Sequence, residues 1–362
     1  RSGINPRYNL YTLKLRTFNF TQIVYPVFGG VFFHFLVREL RTLEDVQQAL
    51  RVALRGALVI AVFAIGAGLL YTSGLGSVYE NVFRLFKIDM TGYKEPMLGG
   101  IGQFFRAYTL AGEPGVSGQK IMFGLATVSG ALLVGRLKNA HELIRGKYWK
   151  FGLLAVALIL NGSTSAYFGA AVLLVCVVGL SWYIGGNLGR GILYIFGALS
   201  IVGVLGVTMQ VSGVSFLDWL LEYHLAKIQG EGGSGQARMF ATLYNIRQVF
   251  FQSPLLGVGY GSSLSLSFAT SLLSNVGLIG LSVFLTYLFV VFRNGKTAFQ
   301  GSAESRVRTV AFISLLTFSA FISMSFVAQA TGALNGLITW VSIALPEAVY
   351  QVYRRRLAHQ NA

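Results

Sequence analysis

The fold class this chain predicts is all-α: a polytopic transmembrane helical protein with two long outward-facing loops that contain amphipathic helices. Three observations predict it. Hydrophobic residues make up 54% of the 362 and charged residues only 12%, far from the balance of a soluble globular domain. Apolar stretches close to the ~20 residues that cross a bilayer recur along the whole chain. Lysines and arginines gather in the short segments between them, as the positive-inside rule expects. The formal net charge of +16 would suit nucleic acid only if it were gathered on one soluble face. It is spread over short loops instead, so membrane lipids are expected partners and nucleic acid is not.

The elements follow in order within one integral membrane domain spanning 1–362. Nine spans are expected, at 18–37, 56–74, 119–135, 150–162, 165–184, 191–211, 268–292, 309–328 and 334–350. They are nearly free of charge, with His34 near one end of the first. Between the first two lies "TLEDVQQALRVALR". Thr42 with Asp45 three residues on reads as a helix N-cap, and Leu43, Val46, Leu50 and Leu54 form an apolar stripe. An amphipathic helix on the cytoplasmic membrane surface is expected there, serving packing. The fourth span is short because Asn161-Gly-Ser-Thr-Ser165 interrupts an uncharged run from Phe151 to Leu188. At ~1.5 Å per residue that run is too long for one crossing, so a turn or broken helix is expected.

Sidedness follows from the cations. Segments 38–55, 136–149, 185–190, 293–308 and the tail at 354–356 together carry sixteen Lys and Arg, against seven in the much longer alternate segments 75–118, 212–267 and 329–333. The first set should be cytoplasmic and the two long loops, 75–118 and 212–267, should face outward. The segment before the first span, with Arg7, Lys14 and Arg16, runs against this scheme. Cys176 lies inside an apolar span and reads as a small core residue. The chain opens at Arg1 without a signal-peptide pattern, so residues upstream of it are expected.

Motifs for metal or nucleotide chemistry are missing from the sequence: no Walker loop, no HExxH and no Cys/His metal spacing. Neither a metal nor a cofactor is expected. The two outer loops share a different pattern, an arginine followed at a distance by glycine. Eleven residues separate Arg106 from Gly118, and eleven separate Arg247 from Gly259. Outward loops are where the positive-inside rule disfavours cations. A guanidinium is planar, permanently charged and able to grip phosphate oxygens in pairs. Arginines from the two loops could clamp a diphosphate at the outer surface; alternatively they snorkel or meet lipid headgroups. In the second loop Met239, Leu243, Ile246 and Phe250 fall on one helical stripe that stops at Ser253-Pro254. On that helix Arg238 and Arg247 are nine positions apart and fall roughly on opposite faces, so the two are not expected to hold one phosphate together. Upstream, Phe216–Ile228 reads as a second amphipathic helix, with Trp219 and Tyr223 as interface anchors. Asp218, Glu222 and His224 upon it are the residues a wet helix face needs anyway.

The stretch "GSGQAR…QSPLLGVGYG" followed by "SLLSNVGLIGLSVFLTYLFVV" resembles the core of the O-antigen ligase and polymerase (Wzy-type) family. "RAYTLAGEPG" (Arg106–Gly115) resembles the Arg…Glu-Pro segment of the polysaccharide polymerases, and "ILNGSTSAYFGAAVLLV" (Ile159–Val175) a polar entry to a span in the same family. The resemblance covers roughly residues 18–330. It implies glycosyl transfer on the outer, periplasmic face of the bacterial inner membrane, from a polyprenyl-diphosphate-linked oligosaccharide, without a nucleotide sugar or metal. A chain-length regulator is a further partner it admits. Arg106 and Arg238 take the family's arginine roles, with Arg247 as a third candidate. Glu113 is the general-base candidate for the acceptor hydroxyl, or a loop acid paired with Arg106 for structure. Gly257, Gly259 and Tyr260 are expected at the substrate, the glycines making either a tight elbow beside it or a close helix contact. Ligases of the family carry a histidine shortly before the Gly-Leu-Ile-Gly helix, and none occurs from Gly261 to Gly280. A polymerase is therefore expected over a ligase or protein O-glycosyltransferase. A transporter or flippase would place ionisable groups within the spans rather than in outward loops.

Overall fold

The structure, a computed structural model, describes residues 17–78, 81, 109–110, 114–134, 144–183, 210–211, 214–215, 233–259, 267–328 and 336–360. Nine α-helices occur among them: α1 (Thr17–Glu39), α2 (Leu43–Thr72), α3 (Pro114–Val134), α4 (Lys147–Asn161), α5 (Thr164–Tyr183), α6 (Gly233–Tyr244), α7 (Phe268–Gly301), α8 (Ser305–Ala328) and α9 (Leu337–Gln360). A two-residue antiparallel ladder pairs Gln210 with Ser215 and Val211 with Val214. Four helical stretches, Leu43–Leu70, Gly115–Val134, Phe268–Gly301 and Ser305–Phe326, are long and apolar enough to cross a membrane. The expected span 191–211 and the expected helix Phe216–Ile228 lie outside the described residues, apart from the ladder residues Gln210 and Val211.

The bundle is built around α3 and α8, whose apolar windows are the most enclosed. They run antiparallel. Phe123 meets Phe321 edge-to-face at 6.1 Å, Thr127 and Thr317 share a hydroxyl hydrogen bond of 3.2 Å, and a Cβ on Gly130 would stand 3.1 Å from the Ile313 backbone. A small residue brings the backbones close, and the paired hydroxyls satisfy each other where no water reaches. Around this pair α2, α4 and α5 flank α3, while α5, α7 and α9 flank α8, and α1 packs on α9. In α2 the inward face is a run of small side chains, with Ala57, Ala61, Ala64 and Ala67 almost fully buried. Its large residues Val52, Val59, Val62 and Leu69 point outward and are about half exposed or more. Large apolar residues are likewise exposed along α1 (Val24, Val27, Phe28, Val31, Phe35) and along one face of α7 (Leu278, Ile279, Val283, Phe289). Exposed apolar faces of this length are unusual on soluble monomers and suit a hydrocarbon surround.

Two sequence expectations change here. Residues 42–55 do not form a separate surface helix: they are the first turns of the 30-residue α2. The expected cap is present, with the Thr42 amide donating to Asp45 Oδ2 at 2.8 Å and the Asp45 amide donating to Thr42 Oγ1 at 3.2 Å. The stripe of Leu43, Val46, Leu50 and Leu54 is buried against the bundle. Only Gly56 separates it from the apolar run that follows, and one glycine at a cost of about 1 kcal/mol does not stop the helix, so one rod serves both. Second, the expected spans are not wholly free of acid. Glu347, inside α9, is held by the Asn294 amide at 2.8 Å and the Gln351 amide at 2.7 Å. The interruption at Asn161–Ser165 is a turn between two helices: Gly162 adopts a left-handed conformation (φ 63) as the C-cap of α4, and α5 begins two residues later.

Candidate functional site

One end of the bundle gathers the start of α3, the end of α4, the start of α5, the start of α7 and the end of α8. The antiparallel register of α3 on α8 places them so, as do the contact of Gly169 with Met324 and the hydrogen bond from Ser267 Oγ to the Phe326 carbonyl at 3.4 Å. The end of α2, the start of α3 at Pro114 and Ser267 before α7, which are described flanks of the two long loops, lie at this end.

The second loop approaches it through α6, which is not a uniform helix. After Tyr244 it widens into a π-helical turn over Asn245–Val249 and then tightens into a 3-10 turn over Phe250–Gln252. A π turn advances less angle per residue than an α turn, so it narrows the half-turn that a straight α-helix would put between positions 238 and 247. Arg247 stands exposed within the π turn. Arg238 lies in the second turn of α6. Asn245, 1% exposed, donates from Nδ2 to the Ala241 carbonyl at 2.7 Å and accepts from Ser274 Oγ on α7 at 3.3 Å. The buried face is thus Ala241, Asn245 and Val249, while the apolar stripe faces away from it, with Met239 and Leu243 47% and 41% exposed. Where the surround is apolar, small and polar side chains face the protein and large apolar ones face away.

The chain then reverses at Ser253-Pro254 and meets α7 where that helix breaks. Gly277 has φ 64 and ψ −170, which no other residue adopts readily, and it interrupts the α7 ladder. The groups freed by the break are taken up by the elbow. The amides of Val258 and Gly259 donate to the carbonyls of Ser274 and Asn275 at 3.0 and 2.9 Å. The amides of Leu278 and Ile279 donate to the carbonyls of Pro254 and Leu255 at 2.9 and 3.1 Å. Four backbone bonds cross in both directions, so the break leaves these groups paired. Gly257 (φ 70) and Gly259 (φ 98) supply the left-handed turns. A Cβ on Gly257 would collide with the Asn275 backbone, and one on Gly277 with the Leu255 backbone. Gly257 combines a left-handed turn with a close approach to α7; Gly259 bonds the same helix and is exposed.

A second polar patch lies at the same end. Asn161, fully buried, donates from Nδ2 to Ser117 Oγ at 3.0 Å, and its Oδ1 has no hydrogen-bond partner among the described residues. Ser163, two residues after Asn161, and Gln119, two residues after Ser117, are buried as well, and Tyr167 donates to the Ile159 carbonyl. Gly118 makes room for the patch, since a Cβ there would stand 2.7 Å from that of Ala166. Asn161, Asn245 and Asn275 are polar positions that motif reading passed over. Their signal was available: an amide inside an apolar span is costly unless it is bonded and has a use.

Arg106, Glu113 and Tyr260, together with the side chain of Arg238, lie outside the described residues. Thr109, three residues after Arg106, is fully buried, and α3 begins at Pro114, directly after Glu113. Proline suits the first helical position because its missing amide hydrogen has no partner to lose there. No family model matches this chain, and no curated protein is similar to it.

Proposed function

We propose that this protein is a polytopic glycosyltransferase of the bacterial inner membrane. In this reading it polymerises polyprenyl-diphosphate-linked oligosaccharide repeat units into O-antigen, capsule or exopolysaccharide, at a site facing the periplasm. One observation carries it. The two stretches whose sequence resembles the O-antigen ligase and polymerase family, Ser253–Gly259 and Asn275–Gly280, interlock backbone to backbone as one unit. That unit fixes the arginine-bearing α6 and its π turn against the head of a long apolar helix. A diphosphate at the membrane surface could be met there by fixed cations.

The chemistry follows from those cations. Glu113 accepts the proton of the acceptor hydroxyl as its oxygen attacks the anomeric carbon. The bond from that carbon to the diphosphate oxygen breaks, and the polyprenyl diphosphate leaves with the electron pair. Arg106 and Arg238 stabilise the charge developing on the leaving group, with Arg247 as a further contact. Positioned donors act most strongly where water is excluded, as at the buried amides nearby.

Long-chain glycan in cells lacking the gene, complemented with wild type, Arg238→Ala or Arg238→Lys, tests this. Single repeat units on the terminal acceptor without a ladder are expected in the null, with Arg238→Ala failing to restore polymer and Arg238→Lys restoring little. Normal polymer from Arg238→Ala would remove that residue from the reading. Finished polymer left on the lipid carrier outside the cell membrane would make the protein a ligase. Accumulation on the cytoplasmic side alone would make it a flippase.

A further inference from the structure

At the opposite end of the bundle, α2, α4 and α8 begin together around a cavity of about 510 Å³. Its wall carries Arg51, Arg55, Arg145, Lys150 and Arg306, five cations, over a floor of Leu54, Leu58 and Ile144. No carboxylate lines it among the described residues. The nearest counter-charge is Glu44 at the rim, 3.4 Å from Arg306, while Arg51 donates to Gln47 Oε1 at 3.3 Å. A sphere of that volume has a radius of about 5 Å, so the cations stand within roughly one Debye length of each other and repel. A loop rich in cations satisfies the positive-inside rule with its charges pointing into water; it does not require them to converge on a hollow.

The second observation is independent of charge. Thr309 on α8 also lines the cavity, is 1% exposed, and its Oγ1 has no hydrogen-bond partner among the described residues. Buried hydroxyls are rarely left so, and each such case asks for a missing partner. Phosphate oxygens answer both features: several acceptors for guanidinium groups and one for a hydroxyl. We propose that this cavity is a binding site for a phosphate-bearing anion, distinct from the glycan chemistry at the other end and independent of it. Leu54, Leu58 and Ile144 line the same cavity and offer an apolar surface that an acyl chain could use, so two sources share this chemistry: an anionic lipid and a soluble polyphosphate.

The full chain in neutral detergent, titrated with cardiolipin, phosphatidylcholine or inorganic pyrophosphate, decides the matter by its thermal-unfolding midpoint. A saturable rise with cardiolipin or pyrophosphate and none with phosphatidylcholine is expected. Arg51→Gln combined with Arg306→Gln should weaken that binding by about tenfold or more. Arg293→Gln combined with Arg354→Gln removes the same charge from exposed positions on α7 and α9 and should leave it within about twofold. Should the cavity pair compromise folding, Thr309→Val keeps the shape and should weaken binding about threefold. A response to pyrophosphate identifies a soluble ligand; a response to cardiolipin alone identifies a lipid head. Equal loss in both double variants, or no saturable rise with either anion, overturns the proposal.

Discussion

At one end of the bundle Asn161, Asn245 and Asn275 are buried and bonded to neighbouring backbone or hydroxyl groups; at the other, Arg51, Arg55, Arg145, Lys150 and Arg306 surround a hollow. Both ends interrupt an apolar structure with polar groups, and they resolve it differently. A neutral amide is a pair of dipoles that one or two hydrogen bonds can satisfy, so it can be enclosed. A guanidinium cannot be neutralised by local carbonyls and must keep water or an anion beside it. The amides at the first end are therefore enclosed, with backbone filling the break in α7 and Arg247 left exposed beside it, while the hollow at the other end is left open. Geometry that must be held rigid is built from glycine and amides. Geometry that must admit a charged guest is built from arginine.

The largest test of this contrast is at the closed end. Gly277→Ala and Gly257→Ala each place a Cβ into facing backbone at a positive φ. Either should cost about 3 kcal/mol or more in a reversible unfolding titration. Gly66→Ala, where a Cβ meets nothing within 4 Å, should be neutral or slightly stabilising in the same assay. If all three behave alike, the interlock is not what holds the break. Asn245→Ala is the intermediate case: losing its bond to Ala241 at the α-to-π junction should cost about 1 kcal/mol. The polymer assay should show a larger loss than stability explains, because the π turn carries Arg247. A loss that restored stability fully reverses would make Asn245 a packing residue alone.

The smallest effect separates the two ends by its sign. Thr309→Val replaces a buried, unpaired hydroxyl with a methyl group. Without added anion it should raise stability by up to about 1 kcal/mol, since the removed group was costly rather than useful. A fall in stability would mean that Thr309 already bonds within the fold.

Much of the fold was readable from composition and spacing. The capped start of α2, the turn at Gly162 and the stop at Ser253-Pro254 are local decisions, made by a capping box, a left-handed glycine and a proline. Less readable were faces and continuity. The stripe through Met239 and Leu243 left open which face of the helix meets the protein; in a bundle with apolar surroundings the large apolar residues stay outside and Asn245 goes inward. The separate helix expected at 42–55 assumed that a change of pattern implies a change of direction. No residue there breaks the backbone, so α2 runs on.

Taken alone, then, the sequence determined the class of the molecule, the location of its helix caps and stops, and the sorting of its cations into short segments. Those properties depend on residue type and near neighbours. Only the tertiary structure decided that Gly257 and Gly277 serve one another across twenty residues of chain, and that five cations from three segments converge on one hollow. Both are contacts between backbones and charges remote along the chain. No local pattern encodes them, because the packing of α2, α4, α7 and α8 determines which remote groups meet.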